Sequence, residues 1–247
     1  MAGNLYIIST PIGNLGDISF RALDVLKSVD YIACEDTRIT RRLLNHYQIK
    51  SRLVTYNDIN ESKVAISLIE KLNNNENIGL VSDAGTPGIS DPGYRLVNAC
   101  HMKDINVFSI PGASSVVSSL SISGLPTDSF YFCGFLPKKK GRQTKFNYLL
   151  GMKGTIVIFE SPFRVLKTLN DIYDYMGNKN MKFAHVWNID KQGTLHMWES
   201  LCIGKNIAKC QSELENLLRG NISDSDSKLE VYYINAPKFK NGVKTII

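Results

Sequence analysis

Leu80-Val81-Ser82-Asp83-Ala84-Gly85-Thr86-Pro87-Gly88-Ile89-Ser90-Asp91-Pro92-Gly93 decides the fold class of this chain. It starts as an apolar, strand-like run and ends where a helical pattern begins. Between them lies a loop rich in glycine, proline and aspartate. Asp91 is expected to cap the following helix, with Pro92 at its first position, where the missing N–H costs nothing. By itself the stretch reads equally well as a Gly/Pro-rich turn.

The same grammar recurs. Leu5–Ser9 runs into Thr10-Pro11-Ile12-Gly13-Asn14-Leu15-Gly16-Asp17, Tyr31–Cys34 into Glu35-Asp36-Thr37-Arg38, and Asn106–Ile110 into Pro111-Gly112-Ala113-Ser114-Ser115. Helical spacing follows three of the loops: Ile39, Leu43 and Tyr47; Leu96, Val97 and Cys100; Val116, Val117 and Leu120. Strands alternating with helices predict an α/β fold with a parallel sheet and right-handed crossovers. The loops then gather at one sheet edge, where such folds place small ligands.

Several chemistries are excluded at once. Gly13-x-x-Gly16 lacks dinucleotide spacing, no lysine-bearing phosphate loop is present, and neither C-x-x-C nor H-E-x-x-H occurs. No metal is therefore expected. The loops offer backbone groups, serines and one carboxylate, which suits a ligand with hydroxyls, an amino group and little net charge. Five cysteines are scattered, and no run reaches membrane-spanning length. With the first strand pattern at Leu5, a cytoplasmic address without a signal peptide is expected.

The net charge is only +6, but its placement is uneven. No acid falls between Thr37 and Asn57, which holds Arg38, Arg41, Arg42, Lys50 and Arg52. None falls between Phe130 and Phe159 either, where Lys138, Lys139, Lys140, Arg142, Lys145 and Lys153 lie. Such blocks beside a ligand site form an electrostatic footprint for a polyanion, or else a solvated surface.

Six motifs in order carry a family resemblance: Thr10–Leu15, Cys34–Arg38, Asp83–Gly93, Pro111–Ser114, Gly134-Phe135-Leu136-Pro137 and Glu160-Ser161-Pro162-x-Arg164. The chain resembles the tetrapyrrole methylases, in their branch that modifies small-subunit ribosomal RNA. The resemblance runs from about Leu5 to Gly177 and fades after Asn178. Phe163 replaces the histidine of the related motif, and Ala184–Ile189 lacks the branch's Arg-Glu-Leu-Thr-Lys segment.

The resemblance implies S-adenosylmethionine as cofactor and the 2′-hydroxyl of a decoding-centre cytidine in 16S rRNA as methyl acceptor. The partner is then 16S rRNA or the small ribosomal subunit, and a homodimer is expected. It implies two α/β domains, 1–121 with a parallel sheet and 122–247 with a mixed sheet, and a ligand cleft between them. Pro11, Ile12, Gly13, Asp83, Gly85, Thr86, Ser114 and Ser115 are the expected cofactor bed, with Phe159 walling the adenine. Glu35 is the candidate base or positioning group, with Arg38 beside it, and Asp36 reads as a helix cap. Arg38, Arg41, Arg42, Lys138, Lys139, Lys140, Arg142 and Arg164 are the expected RNA contacts, although Arg38 and Arg164 serve equally as partners of Glu35 and Glu160. Two further readings stay open: a methylase of a tetrapyrrole or other small molecule, and a module that binds cofactor without catalysis. Trp187 and Trp198, in a polar segment, point to the dimer interface or to core packing beneath Leu229–Ile234.

Overall fold

The computed structural model describes residues 2–161 and 164–176, together with the strand backbones at 184–189, 195–196, 234–235 and 245–246. It divides into two compact units, Met1–Ser114 and Ser115–Ile247.

The first unit carries strands β1 (Leu5–Ile8), β2 (Tyr31–Cys34), β3 (Arg52–Thr55), β4 (Ile78–Val81) and β5 (Val107–Ile110). Helices α1 (Phe20–Ser28), α2 (Thr37–His46), α3 (Glu61–Asn73) and α4 (Tyr94–His101) connect them in turn. All four strand pairings are parallel, in the order β3-β2-β4-β1-β5. Strand β4 is buried along its whole length, as a central strand covered on both faces must be. One apolar cluster joins α1 and α2 to the sheet through Ala22, Leu26 and Leu44. The other joins α3 and α4 to it through Leu68, Leu72, Leu96 and Cys100. Burying each of these leucines is worth about 1.5–3 kcal/mol.

The crossovers leaving β1 and β2 run one way along the sheet, and those leaving β3 and β4 run the other. Adjacent β1 and β4 therefore send their chains in opposite directions, which makes the carboxyl ends of these two strands the topological switch point. Strand β3 went unread in the sequence because Arg52-Leu53-Val54-Thr55 lies inside a basic block and its neighbours carry no glycine or proline.

The start of α4 differs from the sequence expectation. The helix begins at Tyr94, its N-cap is Gly93, and no side chain caps it. Asp91 and Pro92 precede it in the loop. With Gly93 at φ 156°, the chain keeps a bend that delays the helical hydrogen bonds until Val97 N–H reaches the Gly93 carbonyl at 3.0 Å.

The second unit holds α5 (Ser115–Ser123), β6 (Phe130–Phe135), α6 (Arg142–Leu150), β7 (Thr155–Glu160), α7 (Val165–Met176), β8 (Ala184–Ile189), β9 (Leu195–His196), β10 (Ile234–Asn235) and β11 (Thr245–Ile246). Its sheet is mixed: β6 and β7 are parallel, β11 is antiparallel to β7 and β8, and β10 is parallel to β8. Helix α5 falls in this unit, whereas the sequence reading ended the first domain at residue 121. Val116 and Leu120 of α5 cluster with Val157 and Phe159 of β7. Trp187 and Trp198, as side chains, lie outside the described residues.

Candidate functional site at the switch point

Register sets the site. Ile8 pairs with Ile110, and Cys34 pairs with Val81. One residue further on, Ser9, Pro111, Glu35 and Ser82 therefore leave the sheet along a common edge. Two of the loops that follow are stitched together. Thr10 N–H donates to the Gly85 carbonyl at 2.9 Å, and Gly85 N–H returns a bond to the Thr10 carbonyl at 3.1 Å. The Thr10 hydroxyl also donates to the Ser82 carbonyl at 3.1 Å, and Thr10 is 3% exposed.

The β5 loop joins them. Ser9 Oγ and Thr86 Oγ1 lie 2.9 Å apart, and the Thr86 hydroxyl donates to the Ala113 carbonyl at 3.3 Å. Gly112 makes this approach possible, because a Cβ there would sit 2.9 Å from Ser9 Cβ. The sequence-predicted residues from Thr10 to Gly13, from Asp83 to Thr86 and from Pro111 to Ser114 thus meet in one place. Pro11 and Ile12 are buried and Gly13 is half-buried. With the side chains of Pro11 and Ile12 inside, this loop offers a ligand mainly its backbone. Ser114 and Ser115 stand half-buried where α5 begins.

The β2 loop is anchored to the same cluster by an acid. Asp83 Oδ1 accepts the Asp36 backbone N–H at 3.0 Å, which holds half-buried Glu35 at the edge between them. Asp36 caps α2, as its position suggested, accepting Arg38 N–H at 2.8 Å. Its carboxylate also receives the Arg38 guanidinium, from Nε at 3.0 and 3.1 Å and from Nη2 at 2.5 Å. The Arg38 side-chain bond, followed by the backbone N–H, pulls the Asp36 pKa down to about 2. Arg38, Arg41 and Arg42 are all exposed, while Thr40, Leu43 and Leu44 form the buried face of α2. The Tyr47 hydroxyl donates to the Leu15 carbonyl at 2.5 Å and ties the far end of α2 to the loop after β1.

In the second unit two expectations are corrected and one open alternative is resolved. Phe159 is 1% exposed, with its ring 4.9 Å from Phe132 and 5.6 Å from Phe135. It is a core ring of β7, too buried to wall an adenine; Phe135, 43% exposed, is the ring of this group that reaches the surface. Arg142 is 7% exposed, with its guanidinium bound to Asp171, Thr168 and the Pro137 carbonyl. It is an interior cation and not an RNA contact. Arg164 takes the internal alternative, with Nη2 2.5 Å from the fully buried Glu160. Lys138, Lys139 and Lys140 stand exposed on the turn before α6. Among the described residues no group of three or more His, Cys, Asp or Glu side chains is placed to hold a metal, and no helix is long and apolar enough to cross a membrane.

A parallel sheet with its loops stitched at a switch point, joined to a mixed-sheet unit, defines a class, and sequence comparison agrees. The chain matches the profile of the tetrapyrrole (corrin/porphyrin) methylases across residues 4–192, and it belongs to that family. Its relatives name a branch. A protein of Vibrio cholerae called ribosomal RNA small subunit methyltransferase I is 50% identical over 176 residues, which is 71% of this chain and 61% of that protein. The Pasteurella multocida protein of the same name is 38% identical over 245 residues, covering 96% of this chain and 86% of the relative. Over the Vibrio cholerae and Halalkalibacterium halodurans proteins the match spans 61% and 63% of their lengths, less than two thirds. A crystal structure of uroporphyrin III C-methyl transferase from Thermus thermophilus shares the fold, with a TM-score of 0.58 at 12% identity over 99% of this chain and 96% of that one.

Proposed function

We propose that this chain transfers the methyl group of S-adenosylmethionine to a ribose 2′-hydroxyl of small-subunit ribosomal RNA, the acceptor being a decoding-centre cytidine of 16S rRNA. The observation that carries the reading is the stitched edge of the first sheet with an acid-free arginine helix rising from its β2 loop. The names of the relatives supply the nucleic acid.

The chemistry of the edge fits the cofactor. Three loops present backbone groups at Ile12–Gly13, Gly85–Thr86 and Gly112–Ser114, together with the Asp83 carboxylate and the hydroxyls of Ser9 and Thr86. Backbone and hydroxyl donors suit the ribose and methionine ends of a nearly neutral nucleoside. The N–H groups of the first turn of α5, beside Ser114 and Ser115, suit a carboxylate. When bound, the cofactor supplies an electrophilic sulfonium methyl: the O–CH3 bond forms as the S–CH3 bond breaks, and S-adenosylhomocysteine leaves. No metal is needed for that displacement.

The chain's own residues orient the partners and handle the proton. In-line transfer requires the hydroxyl oxygen about 3 Å from the methyl, so rigid loops matter more than strong bases. The Thr10–Gly85 and Ser9–Thr86 contacts supply that rigidity. Glu35 stands one residue beyond the carboxyl end of β2 and is assigned to accept or steer the hydroxyl proton. Arg41 and Arg42, on the outer face of α2, supply sequence-independent attraction for phosphates, and Arg38 stays clamped to Asp36 as it shapes the turn. A homodimer and a cytoplasmic setting belong to the same proposal.

Transfer of labelled methyl to small subunits from a strain lacking this modification tests the reading. Incorporation into 16S rRNA as a 2′-O-methylcytidine supports it. Labelling of a small molecule with none in RNA selects the small-molecule reading, and cofactor binding without any transfer selects the third.

A further inference from the structure

Arg142 is the one arginine of the second acid-free block, each of its guanidinium nitrogens is hydrogen-bonded inside the protein, and its partners connect two elements. Nε donates to Asp171 Oδ2 at 2.6 Å and Nη2 to Thr168 Oγ1 at 2.7 Å, both on α7. Nη1 donates to the Pro137 carbonyl at 3.0 Å, the residue that opens the lysine turn. The backbone of Arg142 closes the same turn again, its N–H donating to the Lys139 carbonyl at 3.2 Å. On the other side, Leu136 is 2% exposed and packed in the unit's core with Phe146 and Leu169. Lys138, Lys139 and Lys140 thus occupy a turn pinned at both ends, with all three side chains exposed.

The charge beneath is balanced. Glu160 is fully buried, accepts the Thr168 hydroxyl at 2.7 Å and the Ser161 N–H at 2.7 Å, and lies 4.0 Å from Arg142 Nη1. Burial opposes ionisation of Asp171, but hydrogen bonds from Lys167 and Arg142 outweigh it and hold its pKa below the usual carboxylate value. A planar fork of five donors can reach a carboxylate, a hydroxyl and a carbonyl together, which a lysine ammonium on a flexible stem cannot do in that geometry.

We infer that Arg142 is a positioning residue that presents Lys138, Lys139 and Lys140 as a preformed turn for gripping RNA phosphates, an inference that rests on the RNA reading above. A loop already held in shape loses less conformational freedom when the polyanion docks, so affinity rises without any added charge. Arg142→Lys therefore separates shape from charge. It keeps the net charge and the number of counterions released, but loosens the turn.

The test is binding of a short decoding-centre RNA hairpin across a salt series, with folding checked by circular dichroism and thermal melting. Arg142→Lys should bind on the order of tenfold more weakly with an unchanged slope of log affinity against log salt. Replacing Lys138, Lys139 and Lys140 together by alanine should lower affinity and flatten the slope. Gly141→Ala provides a second route. Gly141 has φ +81° and nothing within 4 Å of a Cβ, so an alanine there strains the turn without touching the buried cluster. It should reproduce the behaviour of Arg142→Lys, and it carries the test alone if Arg142→Lys does not fold. Folded Arg142→Lys or Gly141→Ala protein with wild-type affinity, beside a weakened triple-lysine variant, overturns the inference. A triple-lysine variant with wild-type affinity and slope removes the turn from the RNA reading, and the inference falls with it.

Discussion

Asp83 stands at the entrance of the stitched edge, and its side chain already has one structural task. Its Oδ1 accepts the Asp36 backbone N–H at 3.0 Å, a charge-assisted bond worth about 1.5–3 kcal/mol that keeps the β2 loop against the β4 loop. An alanine there would remove both that tie and the negative charge that the proposed function sets against a cofactor hydroxyl or amine. Asparagine separates the two, because its carbonyl oxygen retains the acceptor while the charge is lost. If the charge holds S-adenosylmethionine, Asp83→Asn and Asp83→Ala both abolish binding in calorimetric titration while the fold persists. Affinity retained in Asp83→Asn but lost in Asp83→Ala would assign the residue to loop positioning alone. Unchanged affinity in both would remove Asp83 from the site.

Helix α2 is the element on which structure and function meet. Its apolar side seals the sheet through Leu43 and Leu44, its outer side carries the arginines, and Asp36 fixes where it begins. Removing the cap with Asp36→Ala leaves the backbone N–H that binds Asp83, so only the helix start is weakened. The expected cost is about 1 kcal/mol in denaturant unfolding at neutral pH. The Arg38 contacts lower the folded-state pKa of Asp36 from 3.8 to about 2. A depressed carboxylate stabilises the fold above its unfolded pKa and ceases to do so as pH falls through the folded value. The stability gap between wild type and Asp36→Ala should therefore stay constant above about pH 4 and narrow toward about pH 2. A gap that does not change with pH would show that the carboxylate contributes nothing through its charge.

At the scale of the whole molecule, each compact unit has its own sheet and its own apolar clusters. A homodimer is proposed on the grounds given by the sequence: the RNA reading asks for a broad docking surface, and large aromatics fall in a polar segment. Light scattering at micromolar concentration decides it. A mass near 27.6 kDa would rule the dimer out, and twice that value would support it.

Local sequence determined the elements and the edge they share. Three of the four loop motifs run into helices whose apolar faces were readable from period, and the strand at Tyr31–Cys34 falls where its pattern puts it. Asp36 was legible as a cap because capping acts within three residues. What could not be read was whatever depends on partners distant in the chain. Arg142 looked like one more exposed cation until Thr168 and Asp171, 26 and 29 residues away, closed around it. Phe159 looked like a wall until Phe132 and Phe135 packed against it in T-shaped pairs within the core. The strand order that puts β1 beside β4, and with it the bond pair between Thr10 and Gly85, also came only from the tertiary structure. Charge, size and period are properties of a residue and its near neighbours; whether a guanidinium or a ring faces water is settled only by what the folded chain brings to it.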